Sequence, residues 1–351
     1  MSRQNMPVKV SIIVPIRNEE KYVGNCLQSL LAQTYPPALY EILVVDGRSS
    51  DRSREIVQSI KEGTSNLRCL DNPAGTAPAG MNVGILSSTG EIIVRADGHS
   101  FYPSDYIENC VKYLSNTGAD NVGGPWRTVP SSTSFGARLV AAILTSPFGV
   151  GDSSFRTTAK EGYVETVPFG AFRRELFERI GLFNEKLVRN QDNELNARIR
   201  QAGGKIYQTP ALTTEYHPVA SFVTLLKQTF RTSQWHVFSL QQNIHSLEPR
   251  HLVPAVFAVL FLALSAASGF SSLAGLGLIL LAAIYLLAGF AVSVYKSRQY
   301  GIAAVCILPF AFWLFHMAYG LGTLAGLRYL FTAPSVLPIR TGEPITSADS
   351  Q

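Results

Sequence analysis

VSIIVPIRNEEKYVGNCLQSLLAQTYPPALYEILVVDGRSSD, residues 10–51, decides the fold. Its outer parts, VSIIVPI (10–16) and EILVVD (41–46), are continuous apolar, β-branched runs. Strands buried on both faces, as in a parallel sheet, read this way. Between them Tyr22, Val23, Cys26, Leu27, Leu30 and Leu31 recur at helical spacing. The order strand, helix, strand is a βαβ unit. SSDRSREIVQSIKE (49–62) supplies a further helix with Ser and Asp at its start, and EIIVRAD (91–97) a further strand. The alternation predicts an α/β fold with a mostly parallel sheet. Ligands of such sheets lie beyond the carboxyl ends of the strands, where Asp46, Asp97 and His99 fall.

The composition shifts near residue 250. Three long apolar stretches, 252–270, 273–294 and 302–327, are of the length a bilayer core requires, about 20 residues. GFSS (269–272) predicts a tight turn between the first two, and YKSRQY (295–300) a basic loop before the third. Gly322 and Gly326 form a GxxxG pair suited to close helix packing. The expected organisation is a catalytic domain over 1–240, an interfacial linker over 241–251, about three spans over 252–330 and a tail over 331–351. The positive-inside rule places the YKSRQY loop, and with it the catalytic domain, on the cytoplasmic side of the membrane. MSRQNMPVKV shows no apolar run of a secretory leader, which agrees with that side. A net charge of +5 and a pI of about 9.0 suit a protein beside anionic lipid or handling phosphates, and are too mild to imply nucleic acid. Cys26, Cys69, Cys110 and Cys306 lie far apart without CxxC pairing and are read as reduced core residues.

Three groups carry the chemistry. Asp46, before Gly47, could cap the following helix or accept the N3–H of a uracil; Asp51 has the capping role. In VRADGHS (94–100) the alternation of a strand would bring Arg95, Asp97 and His99 to one side. Asp97 and His99 could then hold one divalent ion, Mn²⁺ or Mg²⁺, that bridges a diphosphate. A buried Arg95 needs an anion, either Asp97 or those phosphates. In RNQDNELNARIRQAGGKIY (189–207), Asp192 and Glu194 stand at a helix start, where the helix dipole lowers a carboxylate's pKa. That suits a general base, although a helix-start acid also serves simply as a cap.

Together these segments resemble glycosyltransferase family 2, the inverting enzymes of GT-A fold, which is Rossmann-like. The opening stretch matches the donor-binding half of that family. Counted from Gly90-Glu91, Asp97 takes the place of the first Asp in the family's Asp-x-Asp, and His99 replaces the second. Gln191-Asp192-Asn193-Glu194-Leu195 matches the acidic helix-start motif with Gln in place of the leading Glu. NPAGTAPAGMNVGI, VPFGAFRRELFERIGLF and these variants resemble the succinoglycan-biosynthesis subgroup of membrane glycosyltransferases, which build bacterial exopolysaccharide. The likeness covers about residues 8–240.

The resemblance implies donor contacts from Pro15, Asn18, Glu19, Asp46 and Asp97, a divalent metal at Asp97 and His99, and Asp192 as the base. Phe169 and Gly170 of VPFGAF, with Gln191 and Glu194, would lie on the acceptor side. Gln228-x-x-Arg231 and Trp235 resemble a reduced Q-x-x-R-W motif with the Trp displaced; an amphipathic interfacial stretch would look similar. The implied reaction moves a hexose from a nucleotide-sugar, a UDP-sugar by resemblance, to a hydroxyl of a polyprenyl-diphosphate-linked saccharide. Membrane lipid and polysaccharide-assembly proteins are the further partners. Two rivals are a processive polysaccharide synthase that exports its chain and a catalytically inactive scaffold that keeps the fold. The three spans after the domain argue against the first, and the presence of Asp46, Asp97 and Asp192 against the second.

Overall fold

In the computed structural model, which describes residues 8–158 and 160–332, β1 (Val10–Ile16) and β2 (Tyr40–Asp46) run parallel, from Val10 beside Tyr40 to Ile16 beside Asp46. Helix α1 (Val23–Leu31) joins them and buries Val23, Cys26, Leu27 and Leu30. After α2 (Ser53–Glu62) come β3 (Leu67–Asp71), α3 (Ala77–Ser87), β4 (Ile92–Arg95) and α4 (Tyr106–Thr117). Short strands β5 (Asn121–Gly123), β6 (Trp126–Thr128), β7 (Gly162–Tyr163), β8 (Ala171–Arg173), β9 (Ile206–Gln208) and β10 (Thr214–Tyr216) follow, with α8 (Arg174–Ile180) and α9 (Gln191–Gln201) among them.

The eight-stranded sheet has the order β3-β2-β1-β4-β8-β5-β9-β7. The β3-β2-β1-β4 half is all parallel, and β8 then runs antiparallel to both β4 and β5. Successive side chains of β1 enter opposite layers. Ile12, Val14 and Ile16 pack with Leu27, Leu30 and Ile107, whereas Ile13 packs with Met81, Ile85 and Leu195. Each such fully buried side chain contributes roughly 1.5–3 kcal/mol. That two-sided burial is why the strands read as unbroken apolar runs.

Among the described residues, contacts group those up to Arg127 with those from Thr158 to Tyr216 as one unit, and Thr128–Thr157 with residues 217–332 as another. The second unit is helical: α5 (Phe135–Leu144), α6 (Pro147–Val150), α7 (Ser154–Thr157), α10 (Phe222–Gln242), α11 (Pro249–Ala267), α12 (Ser272–Tyr300) and α13 (Ala303–Gly326). It differs from a boundary at 240 because α10 packs along α13. Gly322 and Gly326 allow this: a methyl at Gly322 would overlap Ser233 Oγ and the Phe230 carbonyl, and one at Gly326 would come 2.9 Å from Gln234 Cα. The small-residue pair thus acts as its spacing predicts.

Among the described residues, three helices are long and apolar enough to cross a membrane: Pro249–Ala267, Ser272–Tyr300 and Ala303–Leu330. The turn expected at 269–272 falls at residues 268–271. YKSRQY is not a loop; it forms the last turns of α12, and the chain reverses at Gly301, whose φ of 93° favours glycine. Lys296 in that segment donates to the Thr145 carbonyl (3.0 Å) and hydroxyl (2.9 Å), a cation at the C-terminal end of α5. The cysteines are all free, but only Cys26 and Cys110 are core residues; Cys69 is half-buried and Cys306 exposed. Of the expected tail, residues 333–351 lie outside the described residues.

Candidate active site

At the carboxyl ends of β1 and β2 the two following turns are sewn together. Asn18 N–H donates to Ser49 Oγ (2.9 Å), and Asn18 Oδ1 accepts from Ser50 N–H (2.8 Å). Glu19 N–H donates to Ser53 Oγ (2.6 Å). Asp51 accepts from Ser53 N–H (3.0 Å) and Glu20 N–H (3.0 Å), the capping role expected of it. Asp46 ends β2, is buried, and accepts from Ser49 N–H at 3.2 Å and Arg54 Nη1 at 3.4 Å. Pro15 lies past the β1–β4 pairing, which ends at Ile13 beside Arg95, so its missing N–H removes no bond on that side.

The centre of the site is Arg95, the last residue of β4. Its side chain is only 3% exposed, and its backbone N–H donates to the Gly170 carbonyl at 3.0 Å. Nη1 bonds Asp192 and Nη2 contacts Asp97 Oδ1 at 3.3 Å. The guanidinium lies 5.8 Å from the centre of the Phe169 ring. The charge that the sequence left with two candidate partners is therefore shared between two carboxylates, one of them 97 positions away. No local pattern could have exposed that second partner. Asp97 is held in turn by its N–H, which donates to Tyr102 Oη (2.7 Å), and by its carbonyl, which accepts from Cys26 Sγ (3.3 Å).

Asp192 sits in the first turn of α9. The helix dipole does not govern it as expected. Burial pushes its carboxyl above the ordinary carboxylate range, against the downward pull of Arg95. Gln191 is 2% exposed, and its Oε1 has no hydrogen-bond partner. Glu194 is committed elsewhere: Arg198 Nε and Nη2 bond its two oxygens at 2.7 and 2.9 Å. An i,i+4 fork of this kind anchors the helix start.

His99 departs from the expected convergence. Strand β4 stops at Arg95, the alternation is lost, and the chain turns. His99 Nδ1 lies 3.1 Å from Glu19 Oε1. Glu19 is buried, its Oε2 has no partner, and burial raises its carboxyl pKa against the pull of His99. An Nδ1–H donated to that carboxylate puts the lone pair on Nε2, the tautomer that carboxylates impose on metal-binding imidazoles. Among the described residues no three His, Cys, Asp or Glu side chains converge as a metal group. The two expected donors are engaged separately, Asp97 with Arg95 and His99 with Glu19; a carboxylate and a braced imidazole are donor types that suit Mn²⁺ or Mg²⁺.

Backbone strain concentrates on the same segments. The described non-glycine residues with positive φ are Asn18 (59°), Arg48 (62°), Phe169 (48°) and Asn190 (62°). They stand in the turn after β1, the turn after β2, the VPFGAF segment and the N-cap of α9. Such strain persists where surrounding structure over-determines it, which is common at functional sites. Gln228, Arg231 and Trp235 lie on α10 in the helical unit; Trp235 is buried, with its ring 5.4 Å from Phe238.

Residues 11–181 match the family described as Glycosyl transferase family 2. The chain is 29% identical to the succinoglycan biosynthesis protein ExoA of Rhizobium meliloti over 256 residues, 71% of this chain and 77% of that protein. It is 28% identical to the dolichyl N-acetyl-alpha-D-glucosaminyl phosphate 3-beta-D-2,3-diacetamido-2,3-dideoxy-beta-D-glucuronosyltransferase of Methanococcus voltae, over 63% of this chain and 70% of that one. Among solved structures, the mannosyltransferase PcManGT from Pyrobaculum calidifontis, in complex with GDP-Man and Mn²⁺, has a TM-score of 0.60 at 21% identity. That match covers 91% of this chain and 88% of the other, and it shows a shared fold.

Proposed function

Because this chain carries a glycosyltransferase family 2 domain and is a transferase of GT-A-like fold with a C-terminal region of apolar helices, we propose that it moves a hexose from a nucleotide-sugar, with inversion, to a hydroxyl of a polyprenyl-diphosphate-linked saccharide. One observation carries this reading: Asp192 and Asp97, from distant parts of the chain, meet on the single buried guanidinium of Arg95.

In this reading Asp192 takes the proton of the acceptor hydroxyl as that oxygen attacks the anomeric carbon from the side opposite the leaving nucleotide. Burial supports the role, since a base with a raised pKa holds the proton better than a free aspartate. Asp46, with Pro15, Asn18 and Glu19 around it, lines the donor end. Phe169, Gly170 and Gln191 face the acceptor. Asp97 and His99 would hold a divalent cation, Mn²⁺ or Mg²⁺, which when bound offsets the charge of the departing diphosphate. The relative from Rhizobium meliloti is named for succinoglycan biosynthesis, which supports an exopolysaccharide or cell-envelope product. The apolar helices make a lipid-borne acceptor the natural one, with the catalytic unit on the cytoplasmic side of the membrane.

The test uses the full chain in detergent with Mn²⁺, a panel of UDP- and GDP-hexoses and a polyprenyl-diphosphate disaccharide. One donor should release its nucleoside diphosphate in step with addition of a single sugar of inverted anomeric configuration. Retained configuration, or no turnover with any donor, sinks the reading, and a ladder of long products favours a processive synthase.

A further inference from the structure

We infer that Arg95 is a positioning residue that serves as the resident counter-ion of the site: its guanidinium holds Asp97 and Asp192 together in the donor-free protein and yields Asp97 to a divalent cation arriving with the donor diphosphate, while still anchoring Asp192. The inference rests on the reading of Asp97 as a cation ligand and Asp192 as the base.

Four observations carry it. Arg95 is almost wholly buried, so solvent screens the three charges from one another only weakly. The trio carries one net negative charge, which a buried site tolerates poorly unless a cation adds to it. The Asp97 arm is loose: Nη2 stands 3.3 Å from Asp97 Oδ1, long for a charge-assisted bond of about 2.7–2.9 Å, so it opens at little cost. The other arm, Nη1, bonds Asp192. Finally, Arg95 is held independently of Asp97. Its backbone N–H is tied to Gly170, and the Phe169 ring, itself fixed by a left-handed backbone, faces the guanidinium. Its buried Nε has no acceptor, so carboxylates alone satisfy the donor fork.

A guanidinium resting on Asp97 repels the incoming cation. Removing that charge should therefore improve cation binding while harming transfer, an outcome that a merely structural residue would not produce. The full chain in detergent is titrated with Mn²⁺ without donor, and free Mn²⁺ is read by electron paramagnetic resonance. Arg95→Gln should bind Mn²⁺ at least about tenfold more tightly than the parent, the sign and the least size expected when one unit charge is removed a few ångströms from a divalent ion, and Arg95→Lys within about threefold of the parent. At saturating donor the kcat of Arg95→Gln should fall about 100-fold with little change in donor KM, the loss of an oriented base.

Should Arg95→Gln fail to fold, Arg95→Gln combined with Asp192→Asn leaves no unpaired charge at Asp192 and should show the same tightening. Unchanged or weaker Mn²⁺ binding in a folded variant overturns the proposal. Absence of Mn²⁺ binding in parent and variants alike overturns it differently, by removing the cation site, and leaves Asp192 to be judged by transfer.

Discussion

His99 Nδ1 lies 3.1 Å from Glu19 Oε1, eighty positions earlier in the chain, and that contact links the turn after β1 to the turn after β4. In the proposed cation site, Glu19 would orient the ring and fix its tautomer, as an outer residue tunes a metal ligand. Glu19→Ala should therefore weaken Mn²⁺ binding about 10–100-fold while leaving the unfolding transition within a few degrees. Calorimetric titration of Mn²⁺ into both proteins checks it. Equal affinities would remove Glu19 from the site.

Asp192→Asn keeps the shape of the side chain and removes the proposed base. Transfer should fall by about 10²–10⁴, the range for a positioned general base, with the donor dissociation constant within about threefold of the parent. The pH profile gives a second reading. The carboxyl must be ionised to act, so activity is lost as pH falls through its pKa. Burial places that limb above the ordinary aspartate value, and Arg95 restrains the shift. Arg95→Gln releases the restraint and should move the acid limb of kcat to higher pH. A limb that stays in place would mean that another group limits the rate.

The sheet and the identity of its strand-end acids were legible in the sequence because both are local. VSIIVPI and EILVVD announce two-sided burial, and Asp46, Asp97 and Asp192 fall at predictable ends of elements. What the sequence could not show is how those ends meet. Arg95 reaches Asp192 through the order in which α9 and β4 assemble, and His99 leaves Asp97 because β4 ends four residues before it. The three long apolar helices were legible too, but the share of residues 128–157 in their unit was hidden for a related reason. Residues 128–157 carry no long apolar run, yet α5 to α7 share a unit with the long apolar helices. Lys296, read as a loop charge, lies within the last turns of α12 at the end of α5.

Gln191 tests whether its unpartnered oxygen has work to do. A buried acceptor without a donor costs about 1–3 kcal/mol in the donor-free fold. Gln191→Met removes that cost and keeps the volume, so stability should hold or rise. If an acceptor hydroxyl supplies the missing donor, the same change should raise acceptor KM about tenfold, the worth of one hydrogen bond. Thermal unfolding together with acceptor-dependent kinetics separates the two effects. An unchanged acceptor KM would show that the carbonyl does not meet the acceptor.

His236 makes the helical unit sensitive to acid. It lies on α10, with Nδ1 2.5 Å from Tyr319 Oη and its ring stacked 4.3 Å from His251. Burial, helped by the nearby Arg250, pushes its pKa down to about 3. The folded protein keeps the ring neutral, whereas the unfolded chain takes up the proton near pH 6.5. Its contribution is thus complete above pH 6.5 and is lost as pH falls from there towards 3, at about 1.4 kcal/mol per pH unit. His236→Gln should flatten the dependence of Tm on pH between 7 and 5. Parallel Tm curves for the two proteins would contradict a neutral buried ring.

The packing of α10 on α13 sets the last expectation, and two glycines in the helical unit provide it with an internal control. A methyl at Gly322 would overlap Ser233 Oγ and the Phe230 carbonyl, and backbone cannot move aside as a side-chain tip can. Gly322→Ala should cost about 1–3 kcal/mol, the range for overpacking a close contact. At Gly275, on α12, the nearest atom to an added methyl is Ser268 Cβ at 3.9 Å, an ordinary contact. Gly275→Ala should be neutral or stabilise by up to about 1 kcal/mol, because alanine is the better helix former. Unfolding of both variants in the same detergent compares steric fit at constant chemistry. Equal transitions would mean that α10 is not seated on α13 through Gly322. A loss confined to Gly322→Ala would establish that Gly322 seats α10, the helix bearing Gln228, Arg231 and Trp235, on α13.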